Sequence, residues 1–178
     1  MPPAPLPENE ERRQSALRAL PSLDGQHQSW ADDFAAAASA LCGCPIGVVS
    51  IVDEDRQWFK GQVGLDVCET PRDQAFCAYT VLGDEPLVVE DATADPRFAD
   101  NPLVTGEPGI RFYLGIPLLD DDGLALGSLC VIDTRPRRLT SEQIDAMRGL
   151  ARLVSDRLTF STRMRQVRGT CAVLEARA

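Results

Sequence analysis

The sequence predicts an α+β domain built on a central, mainly antiparallel sheet of about six strands, and two patterns support this class. Between residues 57 and 133, strand-like apolar runs alternate with short capped helical segments, and the block closes in a hairpin signal. One helix precedes this block and a long helix follows it. Because hairpins join antiparallel strands, we expect the terminal helices on one face of the sheet and an insertion, residues 66–109, on the other.

The N-terminal part contains two helical segments. Residues 1–7 are rich in proline, and we expect them to be disordered. Residues 8–20 have a helix-forming composition, which Pro21 ends. A second helix is predicted over residues 26–42, because its apolar side chains recur on one face and Gly43 follows it.

Five short, largely apolar segments are predicted strands. They are residues 46–52, 57–63, 86–90, 111–119 and 124–132. The first is a continuous β-branched run, so we expect it at the centre of the sheet. The last two are joined by an acidic turn that ends in Asp122-Gly123, and an Asp-Gly pair is a strong hairpin signal.

The insertion carries three helix-start signals of one kind. In each signal, a side chain that can cap a helix stands before a proline at the first helical position. The pairs are Thr70-Pro71, Asp95-Pro96 and Asn101-Pro102. The first pair predicts a helix over residues 72–82, and the other two predict single turns around Phe98 and Leu103.

A long helix is predicted after the sheet. Thr140 caps it, with Gln143 at the capping-box position, and it continues to about residue 167, a length of about 40 Å. Five apolar residues alternate at three- and four-residue steps and form a coiled-coil-like seam: Ile144, Met147, Ala151, Val154 and Leu158. Such a seam predicts a parallel dimer helix, with Leu150 and Leu153 beside it facing the sheet. The alternative is that the whole stripe packs on its own domain.

Composition narrows the class of protein further. At 178 residues the chain suits one domain with a sizeable core. Its formal net charge of −9 argues against nucleic-acid binding, which needs a basic surface. The N-terminus lacks the apolar region of a signal peptide, and no apolar run approaches the roughly 20 residues that span a bilayer. Six scattered cysteines are typical of free thiols in a reduced compartment, so we expect a cytoplasmic protein with no membrane partner.

Several stretches, in order along the chain, resemble a GAF domain. They include PIGVVSIVDEDRQWFKGQVGLD, ETPRDQAFCAYTV, IRFYLGIPL and GLALGSLCVID. The resemblance covers residues 22–155 and is to the GAF subgroup of bacterial signalling proteins, often found ahead of a histidine kinase or a diguanylate cyclase. It implies a ligand pocket under the insertion and terminal helices that pair across a homodimer. It also implies a kinase or cyclase output module, in cis or in trans.

Eight polar and aromatic residues of the insertion and the strand after it are candidates for lining that pocket. They are Phe76, Cys77, Tyr79, Asp91, Phe98, Asn101, Arg111 and Tyr113. The Arg111 guanidinium could pair with a carboxylate or phosphate of a ligand. We favour the competing interpretation, an internal ion pair with Asp91 or Asp95 that holds the insertion to the sheet.

Cys77 is the thiol with the clearest chemical alternatives. It lies near a predicted helix start, where a thiolate is favoured, although a small buried residue is the simpler interpretation. Phytochrome-like GAF domains attach a bilin through a cysteine followed by histidine, whereas Ala78 follows here and His27 is the only histidine. That single histidine also argues against a histidine metal site or a Ser-His triad. Free methionine sulfoxide reductases are GAF-fold enzymes that use cysteines, and no cysteine stands at the matching position near residues 99–101.

The sequence therefore predicts a non-catalytic sensory or regulatory GAF domain that binds an unidentified small molecule or relays a signal through a helix-mediated dimer. The alternatives are a GAF-fold methionine sulfoxide reductase and a ligand-free interaction module. No metal site is expected, and no cofactor is identified. We divide the chain into a disordered N-terminus with a short helix (1–21), the GAF domain (22–160) and a C-terminal helix extension and tail (161–178).

Overall fold

The computed structural model of the protein describes residues 3–20 and 28–175, and for residues 161–175 it describes only the backbone. Three sequence expectations fall partly or wholly outside these residues. They are the disorder expected at residues 1 and 2, the beginning of the second helix at residue 26 and the tail at residues 176–178.

Six antiparallel strands form a single sheet in the order β3-β2-β1-β6-β5-β4, which confirms the predicted fold class. β1 and β6 lie at its centre and are buried along their whole length. The short edge strand β3 was not predicted. The strands are β1 (Ile46–Val52), β2 (Arg56–Val63), β3 (Glu69–Pro71), β4 (Leu87–Val89), β5 (Phe112–Leu119) and β6 (Ala125–Asp133).

In the described part of the chain, five helices accompany the sheet, and two of them are single turns inside the insertion. They are α1 (Glu10–Ala19), α2 (Ser29–Cys42), α3 (Cys77–Thr80), α4 (Pro102–Thr105) and α5 (Ser141–Glu175). α4 begins as predicted, because Asn101 caps it through a hydrogen bond from the Leu103 backbone N–H and Pro102 takes the first helical position. The capping box predicted for α5 also forms between Thr140 and Gln143.

The helix predicted over residues 72–82 is wrong. The chain instead makes a 3-10 turn at Arg72–Gln74, and α3 follows as a separate turn. The break is at Ala75, whose extended backbone (φ −77°, ψ 123°) interrupts the helical path. Thr70 does not cap a helix, because it lies in β3 and pairs with Gln57 of β2. A capping pair before proline is therefore compatible with a strand end as well as a helix start.

α2 packs unusually close to the sheet. Its inward side is made of Ala31, Ala35 and Ala38, which are completely buried. The strand residues that face them are glycines: a Cβ on Gly61 would lie 2.2 Å from the backbone carbonyl carbon of Ala31. A Cβ on Gly47 would lie 2.1 Å from the Ala35 carbonyl oxygen. Small residues on both sides thus let the helix backbone touch the sheet.

The predicted dimer seam of α5 belongs to the core of its own domain. Its five residues pack on the sheet face that α2 also covers, and four are at most 2% exposed: Met147, Ala151, Val154 and Leu158, with Ile144 half-buried beside them. Leu150 packs against this core as expected, whereas Leu153 is 56% exposed. The same three- and four-residue spacing serves a helix on a sheet and a coiled coil, so spacing alone did not separate them.

α1 is fastened to the sheet and to the insertion by a buried charge network. Arg13 is completely buried and donates to the Val52 carbonyl oxygen at the end of β1. Its guanidinium also pairs with Glu10, which accepts a second hydrogen bond from Arg72 at the start of the insertion. Burial opposes ionisation of Glu10, but the hydrogen bonds from Arg13, Arg72 and Gln14 outweigh it and hold its pKa well below the usual range.

The insertion covers the opposite face of the sheet, as predicted. Its aromatic side chains form a second core, in which Phe76 stacks on Phe98 with ring centroids 4.1 Å apart and an angle of 6° between the planes. Phe76 also meets Tyr113 of β5 at 5.2 Å. The sheet is therefore buried on both faces, with the helices on one side and the insertion on the other.

Candidate functional site

A small enclosed cavity lies between the insertion and the sheet. Its volume is about 60 Å³, and its walls are mostly apolar, with Phe59 on the sheet side and Phe76 and Ile110 on the insertion side. A wider cleft of about 370 Å³ between β5 and α5 is open to solvent and lined by charged residues, including Asp120 and Arg148. Binding sites bury most of a ligand's surface, so the enclosed cavity is the better candidate.

Gln57 is one of the polar residues in the cavity wall, together with Thr70, Cys77 and Tyr113. β2 pairs with β1 and β3 around it, in the register Val52–Gln57–Thr70, and this turns its side chain toward the insertion. The amide Nε2 donates to Thr70 Oγ1 at 3.3 Å, whereas Oε1 is buried and has no hydrogen-bond partner. A buried, unsatisfied acceptor costs about 1–3 kcal/mol. One residue of the cavity wall therefore carries a buried acceptor without a hydrogen-bond partner.

Cys77 also lines the cavity and belongs to a buried cluster of thiols and hydroxyls. Its sulfur accepts hydrogen bonds from Ser128 Oγ at 3.0 Å and from the Tyr113 hydroxyl at 3.2 Å. The sulfur of Cys130 lies 3.8 Å from that of Cys77. All four side chains are at most 2% exposed. Sulfur is a weak acceptor, so two hydroxyl donors on one buried thiol favour negative charge on that atom.

The local environment shifts the pKa values of the two thiols in opposite directions. Burial raises the pKa of Cys77, but hydrogen bonds to its sulfur outweigh burial and lower the pKa to about 7; the donors are Cys130, Ser128, Ser50 and Tyr113. The hydrogen bond to Cys77, followed by burial, raises the pKa of Cys130 well above its usual range. Cys77 is thus the member of the pair that loses its proton first.

Strand register assembles this cluster. Ser50 of β1 lies directly across from Ser128 of β6, and their hydroxyl oxygens are 3.2 Å apart. Cys130 follows Ser128 by two residues and so points to the same face. Gly115 makes room on β5, since a Cβ there would lie 2.2 Å from the Tyr113 hydroxyl. Sequence reasoning missed Ser50, Ser128 and Cys130, and the only signal was the period-two placement of small polar residues in otherwise apolar strands.

The structure brings three of the eight predicted ligand residues to the cavity: Phe76, Cys77 and Tyr113. Tyr79 and Phe98 pack edge to face at 5.0 Å and fill the insertion core. Asn101 is completely buried and donates to the Gln74 carbonyl oxygen.

The expected ion pair of Arg111 is wrong. Its guanidinium donates to the backbone carbonyl oxygens of Val104 and Ile110. Asp95 pairs with Arg97 instead. Half-buried Asp91 accepts hydrogen bonds from the backbone N–H and the hydroxyl of Thr93. Arg111 still fastens the insertion to β5, but through backbone oxygens, and each carboxylate is satisfied within its own turn.

The described residues contain no group of three or more histidine, cysteine, aspartate or glutamate side chains placed to hold a metal ion. Among their helices, none has the length and apolar character to cross a bilayer.

The architecture is that of an α+β domain in which an antiparallel sheet lies between a helix layer and a cavity-forming insertion. The sequence profile of the GAF domain matches residues 27–158, and the chain belongs to the GAF domain family. Over 155 residues it is 48% identical to a cyclic di-GMP phosphodiesterase of Pseudomonas aeruginosa. The match covers 86% of this chain and 26% of the relative, so the chain spans about a quarter of that protein's length.

Solved structures agree on the fold. The GAF domain of the Acinetobacter phosphoenolpyruvate-protein phosphotransferase has a TM-score of 0.65 at 16% identity, covering 88% of this chain and 93% of that one. A free methionine-R-sulfoxide reductase from Neisseria meningitidis gives 0.63 at 18% identity, with coverages of 88% and 90%. The PixJ GAF domain of Thermosynechococcus elongatus gives 0.60 at 19% identity, with coverages of 98% and 99%. At these identities the likeness extends to the fold alone.

Proposed function

We propose that the protein is a non-catalytic sensory GAF domain whose cavity binds a compact, mostly apolar molecule with one hydroxyl-like group. Gln57 carries this proposal, because it belongs to the wall of a mostly apolar cavity and its Oε1 is a buried acceptor without a partner. A ligand that donates to this atom would recover a hydrogen bond that the empty domain lacks. A hydroxyl both donates and accepts, so it would satisfy the free end of the amide in either orientation.

The size of the cavity adds a condition to the proposal. A dry cavity of about 150 Å³ holds benzene, whereas this one measures about 60 Å³. A ligand with one ring would therefore push the insertion outward. Loop residues form part of the wall, including Val67, which is 50% exposed at the rim. We infer that the insertion opens to admit the ligand and becomes ordered over it.

The proposed signal passes through the sheet to α5. Tyr113 of β5 faces the cavity, while its neighbours Phe112 and Leu114 belong to the core beneath α5. Movement of the insertion against Tyr113 would thus be transmitted to the helix layer, as a shift between two populations. Since the Pseudomonas aeruginosa relative is a cyclic di-GMP phosphodiesterase, we propose that the domain regulates an enzyme of cyclic di-GMP signalling, with a cyclase or kinase output as alternatives.

We place the proposed homodimer contact on the exposed side of α5. Leu153 and Phe160 are each more than half exposed and stand seven residues apart, the spacing of one heptad. The helix continues in this direction to Glu175. A second copy aligned in parallel would cover these side chains while leaving the buried stripe in its own core.

A pair of matched probes tests the ligand proposal. Phenol and fluorobenzene have nearly the same size, but only phenol carries a hydroxyl. Isothermal titration on the purified protein should give about tenfold tighter binding of phenol, since one satisfied acceptor is worth about 1.4 kcal/mol. Gln57→Leu should remove this preference, and Gln62→Leu, which lies on the same strand but outside the cavity wall, should keep it. Equal binding of both probes, or binding of neither, would contradict the proposal and favour a ligand-free interaction module.

A further inference from the structure

We propose that Cys77 and Cys130 form a redox-active thiol pair, which a small peroxide oxidises to a disulfide that fastens α3 of the insertion to β6 of the sheet. The sulfurs are 3.8 Å apart, so closing them to a bond of about 2.05 Å needs a movement of less than 2 Å. Cys77 lies in a single four-residue turn, whereas Cys130 is fixed in the central strand. The movement therefore falls on α3.

Among the described cysteine side chains, this is the pair whose sulfurs face each other. Cys42 and Cys44 are also buried and close in sequence, but the Cys44 thiol is directed at the Cys42 carbonyl oxygen at 3.8 Å. Cys68 is exposed on the surface. Burial raises the pKa of Cys42 to about 12, which keeps that thiol protonated and unreactive.

The surroundings assign a different role to each sulfur. Cys77 lines the cavity and accepts hydrogen bonds from Ser128 and Tyr113, which stabilise its thiolate, the nucleophilic form. Cys130 does not line the cavity and lies behind Cys77. Cys77 is therefore the thiol that attacks the oxidant, and Cys130 is the thiol that resolves the product.

The cavity can admit the oxidant. A water molecule needs a cavity of about 10–15 Å³. A cavity of about 60 Å³ therefore accommodates hydrogen peroxide, which is about two oxygen atoms in size. Large oxidised thiols such as glutathione disulfide do not fit this space. The proposal is thus specific for small peroxides.

The chemistry balances in two steps. In the first, the Cys77 thiolate attacks one peroxide oxygen, an S–O bond forms, and the O–O bond breaks. The hydroxide that leaves takes up the thiol proton as water, and Cys77 becomes a sulfenic acid. In the second, the Cys130 thiol displaces the sulfenic hydroxyl, an S–S bond forms, and a second water leaves. The pair loses two electrons, and both peroxide oxygens are reduced to water.

Mass spectrometry of the purified, fully reduced chain tests the pair. After titration with hydrogen peroxide, free thiols are alkylated in denaturant and the protein is digested. We expect a cross-linked peptide joining Cys77 to Cys130 and a mass loss of about 2 Da. Cys130→Ala should leave a sulfenic acid on Cys77 that dimedone traps, whereas Cys68→Ala should leave the cross-link unchanged.

Two results would overturn the inference. One is full alkylation of Cys77 and Cys130 at peroxide doses that already oxidise exposed Cys68. The other is a cross-link that appears only when the peroxide is added after denaturation. Because the cross-link is measured in the unsubstituted chain, the test does not depend on whether the variants fold. Glutathione disulfide serves as a second oxidant, and at equal oxidising equivalents it should give no cross-link between Cys77 and Cys130.

Discussion

Replacing Gln57 by leucine should stabilise the empty domain, which is unusual for a change at a buried position. The two side chains are similar in size, but leucine removes the Oε1 acceptor that is buried without a partner. Such an atom costs about 1–3 kcal/mol. The substitution also removes the hydrogen bond from Nε2 to Thr70, which at 3.3 Å is long and worth about 0.5 kcal/mol. The balance is a gain of about 1 kcal/mol.

Thermal and urea unfolding measure this gain. For a chain of this size, 1 kcal/mol corresponds to a rise in Tm of about 2–4 °C. Gln62→Leu is the matched control, because its Oε1 is likewise buried without a partner and its Nε2 donates to a backbone oxygen, that of Leu65, at 3.3 Å. Both variants should be stabilised in the absence of ligand, while only Gln57→Leu should lose the preference for phenol.

The reasoning would be refuted by a clear loss of stability in Gln57→Leu alone. That result would mean that the Gln57 amide is already satisfied in the empty domain, for example by an ordered water, and that a ligand gains nothing from it. A gain of stability in Gln57→Leu with an unchanged preference for phenol would mean that the Oε1 acceptor is unsatisfied but out of reach of the ligand.

Three further predictions concern the scaffold. Leu158→Ala should lower the free energy of unfolding by about 2–5 kcal/mol, because Leu158 is fully buried. Exposed Leu153→Glu should change the free energy of unfolding by less than about 0.5 kcal/mol and shift gel filtration toward monomer. The reverse pattern would mean that the buried stripe, and not the exposed side of α5, forms the dimer contact. Gly61→Ala should lower the free energy of unfolding by at least about 1–3 kcal/mol, because the new Cβ clashes with α2. Gly83→Ala should leave the free energy of unfolding unchanged, because that position faces open space. Equal effects of the two variants in urea unfolding would refute the close approach of α2 to the sheet. The lowered pKa of Glu10 contributes stability that is present above the unfolded pKa of 4.5 and is lost as the pH falls. The loss of unfolding free energy caused by Glu10→Gln should therefore shrink below that pH. A loss that does not depend on pH would exclude this linkage.

Hydrophobic patterning was enough to predict the fold. The structure contains the β-branched strand β1, the hairpin between β5 and β6, and the insertion that carries the helix-capping signals. What patterning could not predict was where one local rule competes with another. Thr70-Pro71 has the chemistry of a helix start but ends strand β3, because pairing with β2 outweighs the local preference. The apolar stripe of α5 is equally suited to a sheet and to a second helix.

The candidate site was harder to predict than the fold. Cys77 and Tyr113 were recognised by their type and by the resemblance, but their partners come from strands far apart in the sequence. Cys130 stands 53 residues after Cys77, and the packing of α3 on the sheet brings their sulfurs together. Gln57 was unremarkable in the sequence, since an exposed strand glutamine would look the same. Its importance depends on burial and on a missing partner, and both are properties of the packed structure.

The location of bound phenol tests the central claim most directly. Nuclear Overhauser contacts between phenol protons and assigned side chains would locate the probe in solution. We predict contacts to Phe59 and Ile110, which both line the cavity between the insertion and the sheet. Contacts to Ala151 and Ile116 in the open cleft beside α5 would contradict the account, as would the absence of any contact at saturating phenol.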